Sequence, residues 1–179
     1  MLFSEFGNWK DIEGYPNYGV SDRGFVMNKK KLRILQASAD NHGYHHVNLC
    51  ENNVRKTLKI HTLVAKTHID NPNGYRCVDH IDHDKTNNSV CNLRWCSSSQ
   101  NSMNRSKQAN TTSNYKGVSW HKPTHMWRAQ ISIDGRLKHI GYFTSEVKAA
   151  IAYNNDAICH FAEFACLNVI PLDSITVEN

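Results

Sequence analysis

The chain has 179 residues, 40% of them hydrophobic, and a formal net charge of +5. That length fits one medium domain or two to three small ones, and the apolar content is too high for a fully disordered chain. The longest apolar stretches, such as Ile60 to Ala65, fall far short of the roughly 18 residues of a membrane span, and Met1-Leu2-Phe3-Ser4-Glu5 lacks signal-peptide character, so the protein is expected to act inside a cell.

From Trp9 to Ser21 the chain is dense in aromatics and turn formers, which predicts short strands joined by tight turns. Asp22-Arg23-Gly24 makes a turn, Phe25-Val26-Met27 a strand, and Lys29 to Arg33 a basic edge. A hairpin is expected from Tyr44–Cys50 and Val54–Lys59 across Glu51-Asn52-Asn53. The period then changes: Ile60, Leu63, Val64 and Thr67 recur at helical spacing before Asn71-Pro72-Asn73-Gly74. A strand from Cys77 runs into the polar loop 81–88, and a second strand, Asn92 to Cys96, closes it. Ser97 and Gln100 form a capping box that opens a helix carrying Asn101, Met103, Asn104 and Arg105. The polar, aperiodic stretch 106–112 reads as a linker. Beyond it lie three strand-like runs, Tyr115–His121, Trp127–Ile133 and Leu137–Phe143, the last two joined by Asp134-Gly135. A helix opens at Thr144-Ser145-Glu146, with Ala149, Ala150, Tyr153, Ala157 and Phe161 at helical spacing, and 171–179 is a patternless tail.

Charge is unevenly spread. From Met103 to Leu137 the bases are Arg105, Lys107, Lys116, Lys122, Arg128 and Arg136 against Asp134 alone, whereas from Lys148 onward the balance reverses. An electropositive face for a polyanion, backed by a neutral-to-acidic helix, fits that pattern. The six cysteines, without an export signal, are read mostly as buried thiols rather than a disulfide framework. A zinc site from Cys77, His80, Cys91 and Cys96 is the lesser alternative, because it lacks the tight ligand pairs usual for structural zinc.

In the strand, loop, strand and helix segment, Asp79 and His80 stand side by side and Asn101 returns on the helix. A carboxylate plus an amide oxygen is a hard, sparse donor set that suits magnesium and does not suit zinc. Val78-Asp79-His80-Ile81-Asp82, Asn87-Asn88, Asn92-Leu93-Arg94-Trp95 and Asn101 together resemble the HNH homing endonucleases, in the branch whose motif ends in asparagine. His61 to Ala65 is similar to that family's lead-in helix, and Trp9 to Ser21 to the small module often found ahead of such nucleases. The resemblance implies a metal-dependent DNA endonuclease: His80 as general base, Asn92 bracing the loop and the His80 ring, Asp79 and Asn101 holding Mg2+ (or Mn2+), and Arg94 on phosphate. Its products would be a 5′-phosphate and a 3′-hydroxyl.

Tyr115-Lys116-Gly117-Val118-Ser119-Trp120, Trp127 to Ile131, Ile140 to Phe143, Ala149 to Tyr153 and Phe164 to Asn168 resemble the DNA-binding domain of plant ethylene response factors. That resemblance implies a three-stranded sheet backed by one helix, meeting DNA through Lys116, Ser119, His121, Gln130 and Ser132, with Lys138 near phosphate. Strand alternation adds Arg128 to the outward face. Arg105 is expected on DNA as well. Several of that family's arginines are absent here, so no base preference carries over.

The expected architecture is α+β: a β-rich module over 1–52, a ββα-metal HNH core over 53–105, a linker, and a sheet-and-helix DNA-binding domain over 113–170. Double-stranded DNA is the expected partner, with neither a membrane nor an obligate protein partner implied. A phage-, virus- or mobile-element-encoded protein acting in its host cell follows from the nuclease family. A noncatalytic DNA-binding transcriptional regulator is the alternative function.

Overall fold

In a computed structural model, which describes residues 3–104 and 112–171, the turn-rich N-terminal run folds into short antiparallel strands. These are β1 (Trp9–Ile12), β2 (Tyr15–Ser21), β3 (Val26–Asn28) and β4 (Arg33–Ile34), paired in sequence order. A second sheet holds β5 (Ser38–Ala39), β6 (His45–Glu51) and β7 (Val54–Lys59). The β6–β7 turn is Asn52-Asn53, both residues at positive φ, as the tight hairpin turn matching strand twist requires. The helix α1 (Ile60–His68) and the antiparallel pair β8 (Cys77–His80) and β9 (Leu93–Cys96) follow. The short helix α2 (Ser98–Met103) comes next.

By its contacts the chain divides into two units, Met1–Ser98 and Ser99–Asn179. The first has one continuous core. Ile12, Tyr18, Val20 and Val26 from the first sheet meet Val47 and Leu49 from the second, Ile60, Leu63 and Val64 from α1, and Leu93 from β9. The N-terminal strands therefore pack into the same apolar interior as the Asp79–His80 segment, and burial of that shared surface ties them together. Backbone contacts extend the tie, since Val90 N donates to Asp22 O at 2.7 Å.

In the second unit β10 (Val118–His121), β11 (Met126–Ile133) and β12 (Arg136–Phe143) form an antiparallel sheet. Asp134-Gly135, both at positive φ, make its second turn. The helix α3 (Glu146–Phe161) lies against it: Ala149 and Ala150 pack with Val118 and Ala129, while Tyr153, Ala157 and Phe161 pack with Ile131. Small alanines allow the close approach. The architecture is the expected α+β class of small antiparallel sheets with few helices. No described helix is long and apolar enough to cross a membrane.

The cysteine expectation needs correction. Only Cys96 is buried, with burial pushing its thiol up to about 11, whereas Cys50, Cys91 and Cys159 are exposed and Cys77 and Cys166 half-buried. The exposed three sit on outward positions of β6, the 90–92 turn and α3, where position on the element overrides the residue's general preference for the interior.

Candidate active site

Asp79 faces Arg94 across the β8–β9 pair, and His80 faces Leu93. Both Asp79 and His80 are only 5% exposed. A buried carboxylate needs compensation, and Arg94 supplies it by donating from Nε at 2.9 Å and Nη2 at 2.8 Å, both to Oδ2. Arg94 was expected on phosphate; its guanidinium instead holds the candidate metal-binding carboxylate.

The His80 ring lies in a buried pocket of rings. His61 meets it edge-on at 5.1 Å between centroids, Tyr44 lies 5.9 Å from it, and Tyr44 and His61 are 5.0 Å apart. Asn88 Oδ1 accepts from His80 Nε2 at 3.3 Å in the tautomer with the proton there. Burial lowers the His80 pKa, against the opposing pull of the Asn88 hydrogen bond and the Asp82 and Asp79 carboxylates. The imidazole is thereby biased toward its neutral, proton-accepting form. Burial drives His61 further, to about 4, and neighbouring His80 and Lys59 lower it too. Its Nδ1 is buried without a hydrogen-bond partner among the described residues.

Side chains hold the loop between the strands. Asp82 Oδ1 accepts from Asn92 Nδ2 and from the Asp84 amide, each at 2.8 Å, and Asp82 Oδ2 from Asn87 Nδ2 at 2.7 Å. Asn92 Nδ2 also reaches Asn87 O, and its Oδ1 accepts the Asp82 amide. Asn92 makes these bonds within the loop, and Asn88 is bonded to the His80 ring. Asn87 and Asn88 make side-chain to backbone bonds that hold the loop, Asn88 Nδ2 donating to Thr86 O and Asn87 Oδ1 accepting from the Ser89 amide. Asp82 is exposed, and its carboxylate organises the loop. Burial raises its pKa, yet the bonds from Asn87, Asp84 and Asn92 outweigh this and lower it.

Asn101 lies on α2, half-buried, and belongs to the second unit, whereas Asp79 belongs to the first. Among the described residues no group of three or more His, Cys, Asp or Glu side chains could hold a metal. The four-residue zinc alternative thus finds no support in the geometry, and a cation on Asp79 would take most of its ligands from water and phosphate.

In the second unit, Ser119 on β10 and Tyr142 on β12 flank Arg128 on β11 in register, and Gln130 faces His139. Register partners share a face, so Ser119, Arg128, Gln130, Tyr142 and His139 line one side, opposite the buried Ala129 and Ile131. Ser132 is exposed two residues beyond Gln130 on β11. The His121 and His139 rings lie 4.9 and 4.6 Å from Tyr142. The Gln130 amide, oriented so that its oxygen meets the guanidinium, accepts from Arg128 Nε at 3.0 Å and Nη2 at 3.1 Å. Ser119 Oγ accepts from Nη2 at 3.4 Å.

Two expected DNA contacts depart from this face. Lys138 pairs with Ile131 in register, on the helix side, and its Nζ donates to Asp156 Oδ1 at 2.8 Å. Lys116 turns inward: its Nζ donates to Met103 O at 2.8 Å, and burial lowers its pKa. In both cases a nearby oxygen captures the ammonium. Trp127 packs on the core and Trp120 covers it edge-on at 5.2 Å, staying 37% exposed. Arg105 lies outside the described residues. Tyr44, His139 and Tyr142 escaped the sequence reading because only cross-strand register and loop return bring them to these sites.

A strand pair carrying a buried Asp–His dipeptide, with its loop tied by asparagines and a helix after it, matches the arrangement expected of an HNH nuclease core. Comparison with known proteins supports that family: residues 60–103 match the HNH endonuclease family, and residues 8–50 match the NUMOD4 motif. The particular likenesses include the DNA endonuclease I-HmuI of Bacillus phage SP01, 37% identical over 98 residues that cover 54% of this chain and 56% of that protein. An uncharacterized HNH endonuclease, L245, of Acanthamoeba polyphaga mimivirus is 41% identical over 100 residues, covering 56% of this chain and 30% of that one. The chain thus spans between 30% and 56% of the length of these curated relatives. In three dimensions it resembles a solved structure of DNA binding and cleavage by the HNH homing endonuclease I-HmuI, with a TM-score of 0.52 and 27% identity, covering 86% of this chain and 91% of that one.

Proposed function

We propose that this protein is a metal-dependent DNA endonuclease of the homing HNH type, with His80 as its general base. The observation that carries the reading is the buried His80 imidazole, kept toward its neutral form by burial, beside a buried carboxylate on the same strand. As water attacks the scissile phosphorus, the new O–P bond forms, a water proton passes to His80, the bond to the 3′ oxygen breaks, and that oxygen takes a proton from solvent. The products are a 5′-phosphate and a 3′-hydroxyl. Asp79, and by the family resemblance Asn101, would each offer an oxygen donor suited to Mg2+ or Mn2+, which when bound would stabilise charge on the phosphate and the departing oxygen. Arg94 orients the Asp79 carboxylate, Asn88 the His80 ring, and Asn92 the loop that carries Asn88.

The second unit contributes DNA affinity through the face of Ser119, His121, Arg128, Gln130 and Ser132, in the manner of the ethylene-response-factor domain it resembles. In that arrangement residues 53–105 form the catalytic core, 1–52 its supporting module, and 113–170 the targeting module. The substrate is double-stranded DNA in the cell that hosts the encoding phage, virus or mobile element.

The test is supercoiled plasmid incubated with magnesium or manganese. Unaltered protein is expected to nick it, and Asp79→Ala or His80→Ala to abolish nicking. Absence of divalent-dependent nicking by the unaltered protein overturns the reading in favour of a noncatalytic DNA-binding regulator.

A further inference from the structure

Beside the His80 pocket two lysines from different elements converge on one aromatic ring. Lys59, the last residue of β7, places its Nζ 4.3 Å from the Tyr44 ring centroid, and Lys85, from the loop between β8 and β9, places its Nζ 4.9 Å from the same centroid. The Lys85 ammonium is further held by His42 O at 2.9 Å, and its stem passes Gly43 closely enough that a Cβ there would lie 3.9 Å from its Cδ. A surface lysine ordinarily keeps its rotamer freedom in water. Here the negative face of an aromatic ring and a backbone carbonyl hold the two.

Asp40 lies 3.7 Å from the Lys59 ammonium, while no acid pairs with Lys85 among the described residues. Both lysines are exposed, so an incoming anion can reach them. The ring that carries them is the one packed beside His61 and His80. Compact ammonium groups on a fixed platform next to the candidate base suit a phosphodiester better than a base edge, which is read by planar or bidentate donors.

We propose that Lys59 and Lys85, mounted on Tyr44, form a phosphate clasp that seats the DNA backbone next to the scissile bond. The proposal rests on the nuclease reading for its placement but makes its own claim about backbone binding.

The test is equilibrium binding of the full chain to a duplex in EDTA, as a function of salt. Removing one lysine that neutralises a phosphate lowers the slope of log K against log salt by about 0.9. Lys59→Ala and Lys85→Ala are each expected to lower it by about that amount, and Lys85→Arg to restore it. Lys56→Ala, three residues before Lys59 on the same strand, is expected to leave the slope unchanged. A slope unchanged in both clasp variants overturns the proposal, as does a Lys85→Ala effect confined to the denaturation midpoint, the signature of a tether to His42. Because EDTA removes catalysis, the outcomes separate: plasmid nicking with unchanged slopes keeps the nuclease and removes the clasp. Lowered slopes without nicking do the reverse, and an unaltered protein that binds no duplex removes both.

Discussion

Arg94 donates two N–H groups to a single oxygen of Asp79, and the two residues are direct partners across β8 and β9. Their side chains are 16% and 7% exposed, so the pair is largely desolvated. Removing one member leaves the other's charge buried, whereas removing both leaves apolar surface. Arg94→Ala is therefore expected to cost about 3 kcal/mol in urea denaturation. The double variant Asp79→Leu/Arg94→Leu should regain most of that loss while remaining unable to nick DNA. A double variant no more stable than Arg94→Ala would refute the desolvation account.

Asn88 and Asn92 are separable by assay. Asn88→Ala removes the hydrogen bond to the His80 ring and is expected to lower kcat by roughly 10- to 100-fold, the usual range for a group that orients an active-site imidazole, with KM little changed. Asn92→Ala strips Asp82 and Asn87 of their brace and should cost about 2 kcal/mol of stability for the three part-buried hydrogen bonds it loses. Single-turnover kinetics and denaturation, measured on both, would show the two effects in opposite proportion.

His61 makes stability depend on pH. Its pKa is about 4 in the folded chain, from an ordinary value of 6.5. Between those values the unfolded chain binds a proton that the folded chain does not, so stability is complete above about pH 6.5 and is lost as pH falls toward about 4. The loss is on the order of 2–3 kcal/mol. His61→Phe, which keeps a ring against Tyr44 and His80, should flatten this part of the stability profile. An undiminished acid slope in that variant would remove His61 as its source.

Gly24 couples the N-terminal strands to the loop between β8 and β9. It has φ +84°, and a Cβ there would lie 2.8 Å from Asn88 Cβ and 3.0 Å from Asn88 O. Gly24→Ala is therefore strained in its backbone and pushes on the residue that holds His80. A loss of about 2 kcal/mol is expected, with a fall in kcat that Gly14→Ala, at a site open around its Cβ, does not share.

Gln130 ties back Nε and Nη2 of Arg128, leaving Nη1 as the donor without a partner among the described residues. Under the proposed function, that free end of the guanidinium is the part left to meet a base edge. Gln130→Ala is expected to weaken base discrimination about tenfold at one position of the site, within the range for one bidentate contact, while leaving the salt slope of binding in place. Selection from randomised duplexes would measure it; an unchanged preference would make Gln130 dispensable to readout.

Local chemistry determined much of this protein directly from its sequence. Asn52-Asn53 and Asp134-Gly135 set their hairpins, the spacing of Ile60, Leu63 and Val64 set α1, and alternation separated Ala129 and Ile131 from Arg128 and Ser132, since each depends on neighbours within a few residues. The order of Asp79, His80, Asn92 and Asn101 pointed to a nuclease before any contact was visible. Tertiary structure decided the partners. Arg94 turned to Asp79, Asn88 to the His80 ring, Lys138 to Asp156 and Lys116 to Met103, and Tyr44 arrived from a distant loop to stand beside the candidate base. A charged or polar side chain bonds whichever group the fold brings within reach once water is removed, and sequence spacing does not encode that proximity.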